Sequence, residues 1–144
     1  MKGMTAVNPL HVLLLAAGVF ASPALLAHDH GQPAPNGGQL RQAGPYDYEL
    51  VVEKVGQDTK DRPVTVYLTV HDGAKVPTAG ASGSLTILVG KLKTNTVLKP
   101  DGDNRMKGVA KYSAAADMKV IVSITLDGKA SEQARFTPMA KSGQ

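Results

Sequence analysis

The chain carries His28 and His30 two residues apart, in the stretch His28-Asp29-His30-Gly31, and a third downstream histidine, His71. A chain cut after Ala27 begins at His28. Its free amine, two deprotonated backbone amides and the His30 imidazole then make a four-nitrogen square, a geometry that suits Cu(II) or Ni(II). Alternatively the His28 amine and imidazole chelate together, with His30 or His71 adding a nitrogen. Zn(II) is the third metal such a nitrogen set takes. A cut after Ala24 or Ala21 moves the amine away and leaves ordinary side-chain ligands. Met106, Met118 and Met139 offer thioethers for Cu(I), but Met118 falls on an apolar face that reads as core.

Other chemistries find less support. His71 and Asp72 are adjacent, and adjacent strand residues point to opposite faces, so they make no relay. No nucleophile-elbow or P-loop pattern is present. Asp101 and Asp103 begin like a calcium loop, but Met106 stands where the loop needs glycine and Tyr112 where it needs the bidentate glutamate. Asp47, Glu49 and Glu53 read as a solvated strand face. The chain is therefore expected not to be an enzyme. Lys91, Lys93, Lys99, Lys107 and Lys111 read as solubilising strand lysines. With aromatics at 4% and no tryptophan, no base-stacking surface is expected, and no nucleic-acid partner. The absence of cysteine excludes disulfides, thiolate metal sites and a thiol nucleophile.

The metal hypothesis depends on export. Lys2 is a short basic start, Val12 to Ala21 is an uncharged run of ten residues, and Ala24-Leu25-Leu26-Ala27 ends in a small residue. This is the layout of a cleaved signal peptide over residues 1–27. The apolar run is half the ~20 residues a membrane span needs, so no stable membrane insertion is expected after cleavage. No paired arginine points to a twin-arginine route. Loss of Lys2 lowers the formal net charge of +4 by one.

What must position the ligands is a β-domain. Residues 28–45 crowd glycine and proline and read as a flexible tail that meets the domain, if anywhere, at Gln39-Leu40. From Tyr46 the apolar residues alternate with period two: Tyr46, Tyr48, Leu50 and Val52; then Val64, Val66, Leu68 and Val70; then Leu85, Ile87 and Val89; then Met118, Val120, Val122, Ile124 and Leu126. These are half-buried antiparallel strands. Weaker strands are expected at 93–99, 105–112 and 129–137. Pro100 to Asn104 and Asp127-Gly128 are turn signals. About seven short strands over residues 46–140 predict an immunoglobulin-like antiparallel β-sandwich, with a small barrel as the alternative.

Several segments together resemble a family. They are His28-Asp29-His30-Gly31, Asn36-Gly37-Gly38-Gln39-Leu40 and Gly44-Pro45-Tyr46-Asp47-Tyr48-Glu49-Leu50-Val51, followed by Val66 to Asp72, Val76 to Ala81 and Ala116 to Val120. The chain resembles small, poorly characterised periplasmic proteins of Gram-negative bacteria. These are similar in turn to the N-terminal extension of membrane-fusion adaptors in heavy-metal efflux pumps. The resemblance implies a periplasmic β-domain that handles a transition metal, with His28, His30 and Glu49 as metal-associated positions. Relatives often carry histidine after the motif tyrosine. Asp47 stands there in this chain and offers a harder oxygen ligand.

The expected function is a periplasmic accessory protein that binds Cu(II), Ni(II) or Zn(II) through His28 and His30. His71, Asp47 and Glu49 are secondary contributors. It would buffer the metal or pass it to an envelope efflux component. The competing expectation is a non-catalytic interaction module of the envelope with incidental histidines.

Overall fold

The computed structural model describes Gly3 and residues 34–141. The strands below all belong to one compact unit, Gln32–Gln144. The expected signal peptide, His28 and His30 lie outside the described residues.

Eight strands follow one another: β1 (Gln39–Ala43), β2 (Tyr46–Val52), β3 (Lys60–Val70), β4 (Ser82–Val89), β5 (Leu92–Pro100), β6 (Arg105–Tyr112), β7 (Lys119–Thr125) and β8 (Ser131–Phe136). Every pairing is antiparallel, in the order β1-β2-β3-β6-β5-β4-β7-β8. The ends of that order approach each other. The Thr137 amide donates to the Gln39 side-chain oxygen at 2.8 Å, and Gly44, in the β1–β2 turn, lies against the Glu132 carboxylate of β8.

The domain is therefore a nearly closed eight-stranded barrel. This corrects the expected immunoglobulin-like β-sandwich of about seven strands. A sandwich keeps two sheets apart, facing each other across the core. Here β5 joins them: Leu92 to Leu98 pair with β4, while Lys99 and Pro100 pair with Lys107 and Met106 of β6. Where the β5–β6 ladder stops, hydroxyls continue it. Thr94 and Thr96 donate to the carbonyls of Lys111 and Val109 at 2.9 and 2.6 Å. Gly108 permits the approach, because a Cβ there would lie 2.7 Å from the Val97 carbonyl oxygen. The eighth strand is β1, drawn from residues whose composition reads as tail.

The interior is filled by the alternating residues. Tyr48, Leu50, Val64, Val66, Leu68, Leu85, Ile87, Met118, Val120, Val122 and Ile124 are all buried, joined by Leu98, Met106, Tyr112 and Phe136. Full burial of each such aliphatic side chain contributes roughly 1.5–3 kcal/mol. The Tyr48 hydroxyl is enclosed with no hydrogen-bond partner. Burial, reinforced by the nearby Glu132 charge, raises its pKa far above the ordinary phenol value.

A charged clasp closes the β2–β3 connection. Arg62 is 2% exposed and donates to Glu53 at 2.7 Å and to Asp58 at 3.0 Å. Its guanidinium stands 5.9 Å from the centre of the Tyr112 ring. The Tyr112 hydroxyl in turn accepts the Glu53 amide at 3.0 Å.

Candidate functional site

Strand register brings two of the expected site residues together. Asp47 of β2 pairs with Thr69 of β3, and His71 follows Thr69 by two residues, so a period-two chain turns it to the same face. His71 Nδ1 lies 3.0 Å from Asp47 Oδ2, and His71 Nε2 lies 3.3 Å from the Gln42 side-chain nitrogen of β1. The Gln42 amide nitrogen can only donate, so Nε2 accepts and Nδ1–H donates to Asp47. The carboxylate thereby fixes the ring and leaves the Nε2 lone pair facing the Gln42 amide. His71 is 52% exposed and Asp47 19%. Asp72 is occupied elsewhere, accepting the Ala74 amide at 2.9 Å in the turn after β3.

This pair stands at a cleft of about 630 Å³ between β2, β3, the 101–105 turn and the segment at Pro35 and Asn36. Acidic groups line its far rim, but each already has a cation: Asp101 pairs with Arg105 at 2.9 Å and Asp103 with Lys75 at 2.6 Å. Thr78 pins the turn by donating to the Arg105 carbonyl at 3.0 Å. The two aspartates that open like a calcium loop thus serve a tight polar turn.

Glu49 lines the same cleft but is built in differently. It is 3% exposed, where the sequence pattern places it on a solvated face. One oxygen accepts the amides of Asn36 and Gly38 at 2.8 and 2.9 Å, and the other accepts the Asn36 side-chain nitrogen at 2.8 Å. Its lone pairs are committed to the segment entering β1, so it fits the role of anchor better than that of ligand. Gly38 is required there, because a Cβ would collide with the Leu50 carbonyl.

Among the described residues, no group of three or more His, Asp or Glu side chains converges to hold a metal. The domain supplies one oriented imidazole nitrogen, from His71. Gln42 and Asn36 are the participants that sequence reasoning misses. Asn36 begins an Asn-Gly turn signal that could have flagged it, while Gln42 has no local signal and becomes visible through the β1–β2 register, where it faces Asp47.

No protein-family model matches the chain, and neither a curated protein nor a solved structure does.

Proposed function

We propose that this protein is an exported, periplasmic accessory protein. It binds Cu(II), Ni(II) or Zn(II) and buffers the ion or passes it to an envelope efflux component. His28 and His30 with the new amine form the principal ligand set. His71 is a separate nitrogen ligand on the barrel. The observation that carries the reading is the Asp47–His71 pair, because a carboxylate on one ring nitrogen is the usual support for a histidine whose other nitrogen binds metal. An incoming ion would have to displace only a 3.3 Å amide contact from Gln42 to reach Nε2, which suits exchange.

The test is intact mass of protein recovered from the periplasm, followed by Cu(II) titration of that material with electron paramagnetic resonance. A mass beginning at His28 is expected, with one tight equivalent in a multi-nitrogen field. His28→Ala/His30→Ala removes it, and His71→Ala removes weaker binding at the barrel. A mass beginning elsewhere, or uptake that is weak and non-stoichiometric, overturns the reading. The histidines would then be incidental to an envelope-interaction module.

A further inference from the structure

The charge of the barrel wall is segregated. Strands β6, β5, β4 and β7 are consecutive neighbours, and none of them contains an aspartate or glutamate. On their outer faces they carry Lys93, Lys99, Lys107, Lys111 and Lys119, all exposed. None of these five forms an ion pair among the described residues. Lys99 and Lys107 stand directly opposite each other across the β5–β6 ladder, an arrangement that costs stability in isolation. Between the lysines the wall exposes Val97 at 63% and Val109 at 60%. Across β5, β4 and β7, Lys93 and Lys119 flank Leu88 in register, beside a groove of about 730 Å³ that reaches Ile121, Arg135 and Arg41, with no carboxylate among its lining residues.

We propose that this wall is a docking surface for a bilayer bearing anionic lipids. Phosphate headgroups would enter the groove among Lys93, Lys119 and Arg135, and Val97, Val109 and Leu88 would press into the interface. The pattern of cations around exposed aliphatic side chains is that of peripheral membrane attachment. A strand-forming acidic peptide fits less well. Strand β4, at the centre of the wall, is hydrogen-bonded on both sides, to β5 and β7, so an added strand could pair only at the β1 or β8 margin, away from Lys93, Val97 and Val109. For a nucleic acid, the one ring lining the groove is Phe136, which at 2% exposed offers no face on which a base could stack. The inference is independent of the metal reading, because none of these residues lies in the His71 cleft.

Co-sedimentation of the intact protein with vesicles tests it. One set is phosphatidylglycerol and phosphatidylcholine in equal parts, and the other is phosphatidylcholine alone. Binding is expected to the anionic set, weakening with salt. Each lysine near a charged surface is worth about fivefold in affinity, so Lys93→Gln/Lys119→Gln should lower it about 25-fold. Val97→Ser/Val109→Ser should lower it further at unchanged charge. All four side chains are exposed, and circular dichroism verifies that the variants fold. Equal binding to both vesicle sets overturns the proposal, as does binding that is insensitive to the lysine pair. Tight binding to polyglutamate, with Val97→Ser/Val109→Ser unchanged on vesicles, overturns it in favour of an acidic polypeptide partner.

Discussion

Glu49 and Gly38 are eleven residues apart, yet the carboxylate of one accepts the backbone amide of the other at 2.9 Å. With the two Asn36 contacts, this leaves a buried carboxylate held by N–H donors of neutral groups. Such a group is stable where every lone pair finds a donor, and costly where one is lost. Glu49→Gln turns one acceptor oxygen into a donor facing another donor. It should cost about 1.5–3 kcal/mol, and urea unfolding checks this. Faster amide exchange at Gly38 than within the β1–β2 ladder beside it would localise the loss.

Asp47→Asn tests the histidine's support. The asparagine can keep the contact but no longer supplies a negative charge to the ring. Supporting partners of this kind are typically worth 10–100-fold in metal affinity. Cu(II) or Zn(II) affinity attributable to His71 should fall by about that factor, with unfolding changed little. A competition titration against a chelator reads it, with His71→Ala as the reference for complete loss.

Tyr48→Phe should stabilise the barrel. The hydroxyl is buried without a partner, so its removal relieves a desolvation cost of about 1–3 kcal/mol. The ring, which fills the core, is retained. Alkaline titration carries a linked expectation. Burial and the Glu132 charge keep the folded phenol protonated beyond its unfolded value. Folding stability is therefore untouched by this group's ionisation below about pH 10 and declines as pH rises toward the folded value. Absorbance near 295 nm should show a late phase that coincides with unfolding and is absent in Tyr48→Phe.

The Arg62 clasp makes the opposite prediction in acid. The backbone hydrogen bond at Asp58 is the leading cause that holds its carboxyl below the ordinary value, with Lys60 and then Arg62 adding to it against a burial cost. The folded state binds this proton less readily than the unfolded chain. The contribution is thus present above the ordinary carboxylate range and is lost as pH falls through the depressed value. Amide exchange over residues 53–60 should accelerate in acid, and Asp58→Asn should show that looser loop already at neutral pH.

Much of the fold is legible in the alternation of apolar residues, because a half-buried strand must place every second side chain inside. Met118 to Leu126 and Tyr46 to Val52 show it plainly. Strand β1 is hidden because Gly37, Gly38, Gly44 and Pro45 dominate its neighbourhood, although Gln39 to Ala43 pair fully with β2. Alternation also says nothing about which edges meet. The closure of the barrel rests on the course of β5 and on the hydroxyls of Thr94 and Thr96, neither of which has a periodic signature. Within the site, Asp47 and His71 are recognisable as polar residues near strand ends, but their meeting depends on the Asp47–Thr69 register. Glu49 is misplaced by pattern alone because its cover comes from residues 36–38, outside its own strand.

The meeting of β1 and β8 bears on how the chain can be rewired. Gln39 at the start of β1 touches Thr137 just after β8, so the polypeptide enters and leaves the barrel on neighbouring staves. A short linker between these two points would make them an ordinary hairpin, and the exposed Asp127–Gly128 turn could then be cut to supply new ends. The barrel is in that sense a ring of strands whose numbering is a matter of where the chain happens to be opened.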